Sequence, residues 1–386
     1  MAASLSSNGT WSGNLTDNTT VKIPEHPVSF TSTQDLHIST LQREENSLIG
    51  HETSLSIQWI FALIIIPCIS LPGILGNMSS MIVLHRHGFK KTSNILLAAL
   101  TLADAFYLIG INNVPAYIHD YSSSPGFAYS TTVCYVLYGL YRLFFLLELW
   151  GNWCSLTLPV LITLERIVAV YSPFKFPIIV TPRRTWTAVI AIFILWVPVN
   201  VYYFFLDDLV FVDIDGHSHG VITRTRLYTD DNYKQIYVFI NRTAIILTEP
   251  ISVLLVIVGC IMVGVKIKAA SVKRRKMMSA VISVTQKPAA IPSSRTTWTL
   301  MLVCIVYTIT IGSAFFIQLT VTPSRNTQVD KILDTMVRFV KCLHSSCNFF
   351  IYIYANRNFR DTYRHIFGNL GSRSKRPQQA GSNRSS

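Results

Sequence analysis

Long apolar runs set the hydrophobic pattern of this chain. Seven of them, at about 57–84, 93–115, 135–164, 184–206, 236–265, 297–321 and 332–355, are each long enough for a helix to cross a bilayer. Lipid offers backbone N–H and C=O groups no partner, so a crossing needs roughly 20 mostly apolar residues in helical form. Polar segments separate the runs, and a polar arm and a polar tail flank them. The pattern predicts an all-α membrane protein. The expected division is 1–55 a disordered extracellular arm, 56–355 a seven-transmembrane helix bundle, 356–368 a short amphipathic helix along the membrane surface, and 369–386 a disordered cytoplasmic tail. No solenoid-period repeat and no inverted pair of halves is visible, which argues against a transporter.

Composition sharpens this picture. Charged residues make up 14% of the 386, against roughly 25% in a soluble protein, which rules out a disordered or collagen-like chain and argues against an ordinary soluble enzyme. A formal charge of +13 could indicate nucleic-acid binding, but the distribution of the charge says otherwise. The segments 85–92, 169–184, 266–296 and 356–386 hold 21 of the 33 Lys and Arg, with Asp361 as their one acid. Six acids lie in the arm and six between Asp207 and Asp231. By the positive-inside rule the N-terminus is outside and the C-terminus in the cytosol. The run Lys273-Arg274-Arg275-Lys276 then reads as a juxtamembrane cluster facing anionic lipid or a cytosolic partner, not a nucleic acid. The arm contains three glycosylation sequons within a Ser/Thr-rich stretch, at Asn8, Asn14 and Asn18. Its first fifty residues hold no apolar run of signal-peptide type, so no cleaved leader is expected.

Ionisable groups inside spans cost about 2.5–3.5 kcal/mol each on insertion scales, so each calls for a partner or a task. In the third span Glu148, Asn152, Ser155, Pro159, Ile162 and Arg166 fall on one helical stripe. The stripe is five turns, about 27 Å, long enough to connect the two membrane faces. Pro159 is expected to bend the helix or remove a backbone bond.

Glu165-Arg166 at the end of that span resembles the Glu/Asp-Arg-Tyr region of rhodopsin-like (class A) G-protein-coupled receptors, with Ile167 in place of Tyr. Other marks of the family follow in order: Gly76-Asn77, Leu102-Ala103-Asp104, Trp196, Pro250, and Asn348-Phe349-Phe350-Ile351-Tyr352, which is similar to Asn-Pro-x-x-Tyr with Phe for Pro. The resemblance covers about residues 55–368. It implies that Glu165, Arg166, Asn348 and Tyr352 serve activation and G-protein coupling. It also implies that Asn77, Asp104, Ser155, Ser345 and Asn348 form an inner polar hub able to hold a sodium ion; a purely structural hydrogen-bond hub is the other reading. No further cofactor or metal is implied. Serines of the tail become targets for a kinase and arrestin.

The pattern also breaks. The family ties the outer end of span three to the second extracellular loop by a disulfide, but Asp207–Lys234 contains no Cys, and Cys134 stands 32 residues before Arg166 where the family has 25. No such disulfide is expected, and the loop is expected to be less constrained. Span six lacks Cys-Trp-x-Pro; Gly312 could supply the bend and Tyr307 lies near the usual aromatic switch.

Glu148, with Asn152 below it, marks a ligand pocket. It could receive a cationic ligand or pair internally with Arg338 or Lys341 of span seven. Tyr107, Tyr117, Tyr138, Tyr202, Tyr203 and Phe204 either line that pocket or form the interfacial belt. The acid-rich outer loops and the Asn-Phe-Phe-Ile-Tyr variant look most similar to invertebrate peptide receptors of the FMRFamide-receptor type, with a chemosensory or amine-type receptor as the rival. The ten His residues are scattered without metal spacing, so an enzyme is not expected.

Overall fold

The computed structural model describes residues 50–121, 126–214, 217–281, 292–320 and 327–368. The sequons at Asn8, Asn14 and Asn18 and the tail from 369 lie outside these residues. Span one runs His51–Ile60, a π-helical turn Phe61–Ile65, then Ile66–His87. Span two is Thr92–Gly110, followed by a short helix Val114–Tyr121. Span three is one continuous helix, Thr131–Tyr171, through Pro159. Thr163 Oγ1 donates to the Pro159 carbonyl at 2.8 Å, one turn beyond the N–H that proline lacks. Span four divides into Pro182–Leu195 and Val197–Phe204 at Trp196. Pro198, with no N–H to offer the carbonyl four residues back, accounts for the break.

Span five runs Asp231–Ile246, a π-helical turn Leu247–Ile251 around Pro250, then Ser252–Val281. Span six, Pro292–Thr320, is unbroken through Gly312, so the expected bend there is not an interruption of the helix. Span seven is Thr327–Ala355, and Arg357–Tyr363 follows as the short helix. Side-chain caps start two of these helices: Thr181 Oγ1 accepts from Arg184 N at 3.4 Å, and Asn356 Oδ1 from Phe359 N at 3.2 Å.

Six of the described helices are long and apolar enough to cross a membrane by themselves. Span seven is not among them, because its first half carries Asp330, Lys331, Asp334, Arg338 and Lys341. The bundle is a multi-pass membrane protein with the apolar faces outward. Leu75 and Ile309 are 67% and 65% exposed, whereas Asn77 and Asp104 have no exposure.

Spans two and three meet backbone to backbone. A Cβ at Gly110 would collide with the Glu148 backbone, and one at Gly151 with the Tyr107 backbone. Small residues permit this close approach where no aqueous hydrophobic effect drives helices together. The contact fixes where Glu148 stands.

The loop after span four is the main departure from expectation. It is a β-hairpin, β1 Asp207–Ile214 against β2 His217–Arg224, antiparallel with Asp207 opposite Arg224. Phe127 adds a bridge to Gly220, with Phe127 N donating to Gly220 O at 2.8 Å. The loop is therefore constrained without a covalent tie, because backbone pairing does that work. Asp207 sits 2.7 Å from Arg224 and 3.6 Å from the Arg142 guanidinium of span three. Arg142 also lies 4.4 Å from the centre of the Phe204 ring. All seven cysteines are free thiols; Cys134 Sγ lies 3.4 Å from the carbonyl oxygens of Phe127 and Tyr129, which share its one S–H.

Candidate functional site

A cavity of about 540 Å³ lies at the hairpin end of the bundle, between spans one, three and seven and the short helix that follows span two. Glu148 and Arg338 line it, together with Tyr117, Tyr141, Asp120 and Asp334. Of the six aromatics singled out in the sequence, Tyr117 alone is on its wall. Tyr107 is buried behind it, donating to the Arg338 carbonyl at 3.3 Å, and Tyr138 donates to the Asp207 carbonyl at 3.1 Å. The ion pair open in the sequence resolves to Arg338: its guanidinium stands 2.9 Å from Glu148 Oε1 and donates to Oε2 at 3.0 Å. Asn152 is half-buried and does not line this cavity.

Lys341, one turn deeper on span seven, goes elsewhere. Its ammonium lies 2.7 Å from Glu249, a residue of the π-helical turn of span five. Gln318 of span six approaches the same carboxylate oxygen at 3.4 Å, while Glu249 Oε2 is buried without a hydrogen-bond partner. Sequence reasoning missed Glu249, although it is the one acid in the apolar run 236–265 and the rule that flagged Asp104 applies equally to it. Next along span seven, His344 Nδ1 meets Thr310 Oγ1 of span six at 3.0 Å. The threonine proton goes to the Val306 carbonyl at 2.7 Å, so the histidine donates here.

The inner polar hub is assembled at the next turn. Asp104 accepts from Ser155 Oγ on one oxygen and from Asn348 Nδ2 on the other, both at 2.5 Å, and Ser345 stands beside the carboxylate. Asn77 Nδ2 donates to the Ser345 carbonyl at 3.0 Å. These five residues are almost wholly buried. Around the carboxylate, Asn77 Oδ1, Asn348 Oδ1 and the Tyr352 hydroxyl have no hydrogen-bond partner. Oxygen donors of this kind, beside a carboxylate, suit a small hard cation.

Span seven is thus a polar ladder. Arg338 reaches span three, Lys341 span five, His344 span six and Asn348 span two. Ser346 Oγ adds span one, at 3.3 Å to the Ile69 carbonyl.

At the opposite end Arg166 is occupied. Its Nε and one terminal nitrogen donate to Glu165 Oε2 at 3.0 and 2.6 Å, and that terminal nitrogen also donates to Ser93 Oγ at 2.6 Å. Glu165 Oε1 accepts from Thr92 and Ser93, so the pair is fastened to the first turn of span two. Tyr307 of span six closes the bundle above it, wholly buried, with its hydroxyl donating to the Leu156 carbonyl at 3.0 Å.

Residues 78–352, well over half the chain, match the family described as 7 transmembrane receptor (rhodopsin family), and the chain belongs to that family, whose members are receptors rather than enzymes. It is similar over 133 residues to the FMRFamide peptide receptor frpr-18 of Caenorhabditis elegans, with 32% identity across 33% of this chain and 28% of that protein. It is also similar to the probable G-protein coupled receptor B0563.6 of the same nematode, 26% identical over 230 residues, which is 55% of this chain and 47% of the relative. The chain thus spans less than half the length of these curated relatives.

Proposed function

We propose that the chain is a plasma-membrane receptor, its arm outside and its tail in the cytosol, that binds an extracellular peptide and activates a heterotrimeric G protein. The span-seven ladder carries this reading, because one rigid helix holds both a wall of the cavity and the buried Asp104 hub. A ligand that binds one arrangement of that helix more tightly shifts the population towards it. Arg166, held by Glu165 and Ser93 in the resting arrangement, is the group a G protein would engage once the seam around it opens. The basic segments flanking this end support a cytosolic orientation.

The cavity volume is in the range of ligand sites and large enough for the end of a peptide. The likeness to an FMRFamide peptide receptor supports the peptide class. Asp104, Ser155, Ser345, Asn77 and Asn348 are the residues that would hold a sodium ion, whose charge would favour the packed hub. The tail serines would take phosphate from a kinase and recruit arrestin.

Replacement of Arg166 with Ala tests the coupling role. It should abolish nucleotide exchange in cells carrying a promiscuous G protein while surface expression is kept; unchanged exchange would reject it.

A further inference from the structure

The seam beside Arg166 brings two thiols together. Span five presses on span three here: a Cβ at Gly259 would collide with the Thr163 methyl. Cys260, the next residue, and Cys304 of span six line one narrow gap together with Arg166. Thr163 Oγ1 lies 3.5 Å from Cys304 Sγ. Because the Thr163 proton is committed to the Pro159 carbonyl, its oxygen accepts from the Cys304 S–H. That orients the Cys304 sulfur. Arg166 and Met301 share the seam, a narrow gap of about 10 Å³. Cys304 is 2% exposed, whereas Cys260 is half-buried and is the thiol an outside reagent reaches first. The polar ladder and the coupling residues leave this pair without a task.

We propose that Cys260 and Cys304 are an oxidisable dithiol that hydrogen peroxide converts to a disulfide, fastening span five to span six beside Arg166. Cys260 takes one oxygen from the peroxide to give a sulfenic acid, and the peroxide O–O bond breaks to leave water. The Cys304 sulfur then attacks the Cys260 sulfur, the S–O bond breaks, and its oxygen departs as a second water carrying the thiol proton. Two electrons pass from the two thiols to the peroxide. That the disulfide holds the receptor in its closed state rests on the coupling role proposed for Arg166; the cross-link itself does not.

The test uses the full chain in membranes with a protease site inserted within 282–291. After hydrogen peroxide, thiol blocking and cleavage, the two fragments should migrate together on a non-reducing gel and separate with dithiothreitol. Cys260→Ser and Cys304→Ser should each abolish the link, and Cys68→Ser should keep it. Separate fragments after oxidation of the native chain, or a link that survives Cys304→Ser, overturns the proposal. Nucleotide exchange by a co-reconstituted G protein should fall severalfold on oxidation, recover with dithiothreitol, and ignore peroxide in Cys260→Ser. A link that leaves exchange unchanged, while Arg166→Ala still lowers it, overturns the fastening role. Should Arg166→Ala have no effect, the coupling reading fails while the link still upholds the dithiol.

Discussion

Two ion pairs stand one turn apart on span seven and differ mainly in what surrounds them. Arg338–Glu148 lines the cavity, with side chains 36% and 16% exposed. Lys341–Glu249 is sealed in the bundle, at 12% and 2%. Water screens the first, so it is cheap to break and open to exchange with a ligand group. The second lies in low dielectric, where removing one partner strands a charge. Similar chemistry at similar length, 2.9 and 2.7 Å, thus yields a replaceable contact in one place and a structural tie in the other.

The largest effect should follow from Lys341→Met, which leaves Glu249 buried and unpaired. A loss of about 3–5 kcal/mol is expected, read as a drop in thermal stability in detergent. Adding Glu249→Met should recover most of it, because a well-packed apolar pair also removes the orphaned Oε2. Arg338→Met should cost about 1 kcal/mol or less. Equal losses from Lys341→Met and Arg338→Met would show that burial does not separate the pairs. Next in size, Gly110→Ala should disturb the outer pair alone, by forcing span three away at Glu148. Overpacking of this kind costs about 1–3 kcal/mol. Restoration of native stability by relieving contacts around Glu249 instead would sink that assignment.

The same two pairs mark how far the sequence could be read. Seven spans and their order are legible in hydropathy, because lipid allows few alternatives to a helix. Asp104, Ser155 and Asn348 are also legible, since each interrupts an apolar helix and the family order places them together. The partner of Glu148 was not, because Arg338 and Lys341 differ by three residues and lie on nearly the same helical face. Only the rotation of span seven and the π-helical turn at Pro250, which swings Glu249 inward, assign Lys341 to span five. The hairpin carried a local signal that loop polarity obscured: alternating Val210, Val212 and Ile214 run into Asp215-Gly216, a turn pair. Neither Arg142 nor Asp207 announced itself, because their contact joins span three to a loop 65 residues later.

Charge reversal sharpens the outer half of the comparison with a smaller effect. Glu148→Arg alone sets two guanidiniums together, and Arg338→Glu added to it should restore stability to within about 0.5 kcal/mol, as expected of a partly exposed pair. The swap of Glu148→Lys with Lys341→Glu should not, since Lys341 belongs to Glu249. Rescue by the second swap and not the first would reverse the assignment of partners.

Asp207 gives the smallest effect and a third point on the same scale. It has two guanidiniums within 4 Å, yet burial holds its carboxyl above the usual aspartate range, with Arg224 and then Arg142 pulling it back. Desolvation therefore exceeds the attraction, in part because Arg142 at 3.6 Å is too far to hydrogen-bond. The folded chain binds this proton more readily than the unfolded one. By linkage, the stability it contributes is full below the ordinary aspartate value and is lost as pH rises through the raised one. Asp207→Asn should remove that slope, so that between mildly acidic and neutral pH the thermal midpoint of the native receptor falls relative to that of the variant. A native midpoint that rises with pH relative to Asp207→Asn would mean that the two arginines outweigh burial, and would place the hairpin clamp with the stabilising ties and not with the exchangeable ones.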